Sequence, residues 1–212
     1  MENMSNWIRE AKKLGINLSM LHQDKEKMYE ELQQLKLPHP KTYNIAAEQI
    51  KSKEVQNLFQ KNAYFCRLIP KDKNAIRPYH LKIKTQEEFL HFCMQYELSE
   101  YKIQLVEKGN ITHSGVIVIK NKKGIIELVR GDGPDITHGH KIPVTADVKE
   151  GIYYRNEVDE REKNIIKEAL LMIGWQKNFI EGYFEFEVWN NDKILFRNYQ
   201  PPESAWANID KM

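Results

Sequence analysis

Residues 182–202 read GYFEFEVWNNDKILFRNYQPP. Two runs that alternate aromatic and polar residues flank Asn190-Asn191-Asp192, and a period of two on either side of turn residues predicts a β-hairpin. Asn191-Asp192 suits a two-residue turn. That turn sets a register with Glu185 opposite Asn198 and Glu187 opposite Phe196. Glu185, Glu187, Asn198 and Gln200 then share one face, while Phe184, Phe186 and Val188 point to a core. Two carboxylates and an amide oxygen on one face suit a hard cation such as magnesium. Like charges on one face cost energy unless something compensates them. A solvated outer face is the alternative reading, and a slip of one residue separates Glu185 from Asn198.

Working outward, a second hairpin is expected from 115–120 through Asn121-Lys122-Lys123-Gly124 into 125–130. A Gly-rich loop, a short strand at 152–154 and a helix over about 159–175 fill the space between the hairpins. That helix places Ile165, Ile166, Ala169, Leu170 and Ile173 on one stripe. Upstream, Ser5 caps a helix over 6–14, and DKEKMYEELQQL from Asp24 forms another that ends before Pro38 and Pro40. A strand at 42–45, a helix at 47–62 and a strand at 63–69 follow. Residues 71–84 read as a basic loop. Thr85 opens a helix over 86–97 in the form of a capping box, and 101–107 is a strand. Helices, strands and hairpins interleave without a βαβ rhythm, so the expected class is α+β with antiparallel sheets. The tail 203–212 shows no periodicity.

The chain has 212 residues, 41% of them hydrophobic, which supports a packed core. Lys and Arg number 32 against 30 Asp and Glu. A net charge of +2 gives no global argument for nucleic acid or an anionic membrane. No apolar run approaches a membrane span, and the N-terminus lacks the apolar core of a signal peptide, so a cytoplasmic location is expected. Cys66 and Cys93 are too few for a disulfide scaffold and read as buried thiols.

Two further stretches carry candidate chemistry. Arg130 to His140 reads RGDGPDITHGH, with Gly131, Gly133 and Gly139 spaced so that main-chain N–H groups approach a phosphate closely. Thr137 could donate a hydroxyl, and His138 or His140 could meet an oxyanion or carry a proton. A surface loop stiffened by Pro134 is the alternative. Arg67 lies in the apolar run AYFCRLI, where a guanidinium needs a carboxylate or a ligand phosphate. Lys71, Lys73, Arg77, Lys82 and Lys84 follow as a charge run.

Taken in order, these motifs resemble the ATP-grasp superfamily, most nearly the nucleotide-binding domain of phosphoenolpyruvate synthase and pyruvate phosphate dikinase. Leu37-Pro38-His39-Pro40-Lys41-Thr42 resembles the entry turn of that domain, without its glycine. YFCRLIPK is similar to the small-lobe strand that offers a cation to ATP phosphates, which implies Arg67 in that role and Lys71 as a second cation. YKIQLVEK is similar to the hinge strand, which implies that the main chain of Gln104, Leu105 and Val106 meets adenine and that Glu107 meets ribose. Ser114-Gly115-Val116 resembles the segment after the hinge, and RGDGPDITHG its Gly-rich loop. The closing hairpin implies a Mg2+–nucleotide site at Glu185 and Asn198, with Glu187 nearby. The resemblance therefore implies a two-lobed ATP-grasp-like fold. It has an N-terminal helical extension to residue 23, a small lobe over 24–96, a large lobe over 97–202 and a nucleotide between the lobes. The Gly-rich phosphate flap of the small lobe is missing, and no phosphohistidine domain or pyruvate barrel is present.

The leading expectation is ATP-dependent phosphoryl transfer or acyl-phosphate ligation onto a small-molecule or peptide acceptor, with ATP and Mg2+ as cofactors. A non-catalytic nucleotide- or ligand-binding regulatory module is the second reading. RNA binding through Arg67–Lys84 with Tyr64, Phe65 and Tyr79 is the third, and the near-neutral charge counts against it.

Overall fold

The computed structural model describes residues 25–72, 75–131 and 142–201, the first four of them as backbone only. The chain divides into two compact units, one of residues 40–110 and one that joins 1–39 to 111–212. Among the described residues every strand pair is antiparallel, in a four-stranded and a six-stranded sheet, and helices accompany both, as an α+β chain requires.

The unit 40–110 holds the sheet β1-β4-β2-β3, from Thr42–Ile45, Tyr101–Lys108, Ala63–Pro70 and Tyr79–Ile83. Alternation along β2 sends Tyr64, Cys66 and Leu68 to one face. There they pack against Val55 and Phe59 of helix α2 (Lys53–Phe59) and Phe89, Phe92 and Cys93 of helix α3 (Gln86–Cys93). Both thiols are free and buried. A hydrogen bond with Cys93, reinforced by burial, pushes the Cys66 thiol far up, so it stays protonated.

Three local expectations change. The helix expected over 47–62 is a 3-10 turn at Ala47–Gln49 followed by α2, because the Ser52 hydroxyl accepts the Val55 N–H and starts a new helix. The basic loop contains β3, whose burial pattern is exposed at four of five positions and so hides its period. At the head of α3, Thr85 accepts the Glu88 N–H, but the Glu88 carboxylate returns to the Lys84 N–H rather than to Thr85.

The larger unit carries the sheet β10-β9-β5-β6-β7-β8. Its strands are Ile194–Gln200, Gly182–Trp189, Ile111–Lys120, Lys123–Arg130, Val144–Val148 and Ile152–Tyr154. One face packs against helices α1 (Lys25–Gln34) and α4 (Glu160–Met172). Phe184, Phe186, Phe196, Ile117 and Ile126 meet Leu32 and Leu37 from the first helix and Ile165, Ile166, Ala169 and Leu170 from the second.

Helix α1 ends in a 6→1 hydrogen bond from the Leu37 N–H to the Leu32 carbonyl (2.9 Å), with Lys36 at φ 55°. This closure drops Leu37 into the core, and the Pro38 carbonyl then accepts the Phe196 N–H (2.8 Å). The helix thus belongs with the closing hairpin, and β4 belongs with the four-stranded sheet. Both placements differ from the expected division at residues 96/97. The expected helix at 6–14 and the tail 203–212 lie outside the described residues.

Candidate functional site

The closing hairpin brings Glu185 and Asn198 opposite each other, by a different route from the one its turn residues suggest. The loop is Asn190-Asn191-Asp192, three residues long, with Asp192 at φ 56° and its N–H bonded to the Trp189 carbonyl (2.8 Å). The longer loop shifts the register by one, so Glu187 pairs with Leu195 rather than Phe196. A β-bulge at Arg197 shifts it back, and Asn198 returns to Glu185. Two irregularities cancel.

Around that pair the polar face is ordered. Asn198, Glu185, Val116, Glu127 and Thr145 form one cross-strand row over β10, β9, β5, β6 and β7. The Tyr183 hydroxyl donates to Glu185 Oε1 at 2.6 Å. Burial and the facing carboxylate push the Tyr183 phenol well up, so it remains a donor and holds Glu185 in place. Asn198 is 0% exposed, and neither its Oδ1 nor its Nδ2 has a hydrogen-bond partner among the described residues. Such a buried amide costs about 1–3 kcal/mol unless something fills its valences.

Glu187 is engaged otherwise. Arg197 Nε lies 3.3 Å from its Oε1, and Trp189 Nε1 donates to its Oε2 at 3.4 Å. The bulge that restores the register also turns Arg197 toward this carboxylate. Glu187 therefore carries an internal ion pair. Among the described residues, no group of three or more His, Cys, Asp or Glu side chains is placed to hold a metal ion.

Glu127, fully buried, was not anticipated, although a lone acid inside GIIELVR carries the same signal as Arg67 in its strand. Thr145 donates to its Oε1 at 3.4 Å. At the end of β6, Arg130 is clamped by Asp159 and the largely buried Glu162. Asp159 and Glu162 are also the capping box of α4, each accepting the other's main-chain N–H. Gly131, at φ 106°, donates to the Thr112 carbonyl (2.8 Å) and accepts the Ser114 hydroxyl (2.8 Å), which fastens the start of the Gly-rich loop to β5. Burial, with Arg161 adding to it, holds the neighbouring His113 below the usual histidine range. Gly133, Thr137, His138 and His140 lie outside the described residues.

The clamp gives a pH signature. The Glu162 N–H, and then the Arg130 guanidinium, hold Asp159 below its ordinary carboxylate value of 3.8. A depressed folded pKa stabilises above the unfolded value, and that contribution is lost as pH falls through the folded one. Asp159→Asn keeps a capping oxygen but cannot titrate. Its melting temperature is expected to fall less steeply than wild type below about pH 4, read by circular dichroism melts. Identical slopes would refute the assignment.

In the smaller unit, Arg67 sits on the face away from the core and is half-buried. Its Nε donates to Gln104 Oε1 at 2.6 Å, and Gln104 Nε2 donates to Asn44 Oδ1 at 3.1 Å. The side chain of Gln104 is thus part of the support for Arg67. The expected main-chain role of Gln104, Leu105 and Val106 meets an obstacle. Strand β4 is paired on both edges at these residues, with Asn44, Tyr43 and Thr42 on one side and Arg67, Cys66 and Phe65 on the other. A main chain hydrogen-bonded on both edges has no group left for an adenine edge. The Glu107 N–H is likewise taken by the Lys41 carbonyl (2.9 Å), while its side chain is half-buried. Lys71 is exposed just beyond β2.

No family model matches the sequence, and no curated protein does. Solved structures similar to it include the D-alanine-D-alanine ligase from Coxiella burnetii, 11% identical, covering 92% of this chain and 52% of that one with a TM-score of 0.48. The N5-carboxyaminoimidazole synthase from Aspergillus clavatus, in complex with ADP and 5-aminoimidazole ribonucleotide, is 12% identical, covers 91% and 49%, and has a TM-score of 0.49. A Chryseobacterium gregarium RiPP-associated ATP-grasp ligase, in complex with ADP and a leader and core peptide, is 12% identical, covers 90% and 56%, and has a TM-score of 0.47. The chain spans about half the length of these structures. Among the described residues, no helix is long and apolar enough to cross a membrane.

Proposed function

We propose that this chain binds a magnesium–nucleotide complex on the polar face of its six-stranded sheet and uses it for ATP-dependent ligation or phosphoryl transfer of the ATP-grasp type. The observation that carries the proposal is Asn198: buried, opposite a carboxylate, with neither amide atom hydrogen-bonded among the described residues. An oxygen from Glu185 and one from Asn198 fit the donor set of a hard cation. Magnesium is ordinarily held by one or two carboxylates together with substrate phosphates, so two protein ligands are enough. The bound cation would neutralise charge developing on the transferred group.

This chain's own residues do the positioning. Tyr183 holds the Glu185 carboxylate, and Arg197 keeps Glu187 engaged beside it. Phosphate contact by Arg67 or Lys71, ribose contact by Glu107, loop contacts by Gly131, Gly133 and Thr137, and acceptor chemistry at His138 or His140 belong to the same proposal. They rest on the motifs, as does the likeness to the dikinase group through Leu37–Thr42 and Ser114–Val116. The acceptor class, small molecule or peptide, is part of the proposal too.

Glu185→Gln tests it, because the change removes the charge and keeps an acceptor for Tyr183. Wild type is expected to gain about 2.7 kcal/mol with a non-hydrolysable ATP analogue and Mg2+ at a hundredfold excess over Kd. The variant is expected to gain almost none, while its melting temperature without ligand stays close to wild type. Equal gains in both proteins, or none in wild type, would remove the nucleotide site. Arg67→Ala in the same assay checks the phosphate role read from its strand.

A further inference from the structure

We propose a second ligand site in the larger unit, separate from the row of Glu185 and Asn198. It is a groove for a small organic anion with a flat apolar body, and it stands without the nucleotide reading. The groove has a volume of about 610 Å³. Three fixed turns build it. The tip of the β5–β6 hairpin is a two-residue turn with Asn121 at φ 51° and Lys122 at φ 59°, the conformation of a tight type I′ hairpin. The β7–β8 turn, closed by the Lys149 N–H on the Gly151 carbonyl (3.0 Å), supplies a second wall.

The third turn is the C-terminus of α4. There Gly174 at φ 86° and a 6→1 hydrogen bond from the Trp175 N–H to the Leu170 carbonyl (2.9 Å) swing the chain out of the helix. This closure sets Trp175 in the groove and leaves Lys177 beside it.

The chemistry of the lining is mixed in an informative way. Trp175, Phe179 and Tyr153 give it aromatic surface, Tyr153 being 58% exposed. Trp175 is 8% exposed, and its indole N–H, which has no hydrogen-bond partner among the described residues, is not sealed from solvent. Around these rings stand Lys122, Lys123, Lys149 and Lys177, with Glu150 as the one acid of the lining.

None of the four lysines forms an ion pair among the described residues. Elsewhere on the same unit, exposed Lys163 and Arg161 each find a carboxylate. Unpaired ammonium groups gathered over an aromatic floor are complementary to a phosphate or carboxylate carried on a ring or hydrocarbon. The apolar body would bury against Trp175 and Phe179, and the anion would meet the lysines.

Size selects the occupant. Small-molecule sites occupy about 300–1,000 Å³, whereas a stable protein partner needs about 800 Å² on each side. A nucleic acid needs a basic track longer than one pocket, and the net charge of +2 supplies no such surplus.

The test follows the Trp175 indole N–H by proton–nitrogen NMR, assigned with Trp175→Phe. The full chain is titrated with 1-naphthyl phosphate, and separately with inorganic phosphate and 1-naphthol. The expected result is a saturable shift with naphthyl phosphate and binding weaker by about tenfold or more for either half alone. A loss of about tenfold is also expected in Lys149→Ala/Lys177→Ala, with affinity falling as salt rises. Both lysines are exposed, and an unchanged melting temperature confirms that the variant folds; Lys122→Ala/Lys123→Ala serves if it does not. No saturable shift, or equal affinity in wild type and variant, would overturn the proposal. Tighter binding of single-stranded RNA with a steep salt slope would overturn it too, in favour of a nucleic-acid surface. The nucleotide response of Glu185→Gln is read in a different assay, so the two proposals can fail separately.

Discussion

Asn198→Leu is expected to abolish the nucleotide response while leaving the ligand-free protein as stable as wild type or more so. Leucine has the same number of side-chain heavy atoms and the same branching as asparagine, and it carries no polar atoms. Residue 198 is fully buried, and neither amide atom is hydrogen-bonded among the described residues. Removing such a group relieves about 1–3 kcal/mol of unmet desolvation. A residue kept for folding alone would show the opposite sign. Thermal melts with and without the ATP analogue and Mg2+ separate the outcomes. A destabilised variant that still responds to nucleotide would show that Asn198 has an internal role and does not face a ligand.

Gly115→Val is expected to cost about 3 kcal/mol or more, or to prevent folding at 37 °C. Gly115 lies in β5 directly opposite Phe186 of β9. A Cβ built there would clash with the tip of the Phe186 ring, with Cε2 at 2.9 Å and Cζ and Cε1 closer still. The ring has little room to retreat. Phe186 is 1% exposed and packs on Phe196 at 6.1 Å between centroids, within the same core as Leu32 and Ile166. Glycine serves here for close approach, since its φ is not in the left-handed region. Urea denaturation checks the magnitude. Gly115→Val/Phe186→Leu, which vacates part of the ring, should recover some of the loss. A single variant within about 0.5 kcal/mol of wild type would mean that the strand shifts to make room.

The strain-free part of this architecture was written locally. The 3.6-residue stripe of Ile165, Ile166, Ala169, Leu170 and Ile173 announces the helix. The alternation in 183–189 assigns Phe184 and Phe186 to the core and Glu185 to the other face. Both signals depend only on neighbours in the chain. The strand at Tyr79–Ile83 was not visible, because four of its five residues face solvent and present no apolar period. The Trp175 groove was equally hidden. Its lysines come from three turns separated by dozens of residues.

Residue order alone therefore determined the α+β class, the strands of both hairpins and the helix within 159–175, and it singled out Glu185, Asn198 and Arg67 as candidates. Tertiary structure decided which candidates keep free valences. Glu187 is taken by Arg197, and the main chain of Gln104–Val106 is taken by strands on both sides. Asn198 regains its place opposite Glu185 only because a bulge undoes the shift of a three-residue turn. Hydrogen-bond satisfaction and strand order are pairings between distant segments, and residues close in the chain carry no record of them.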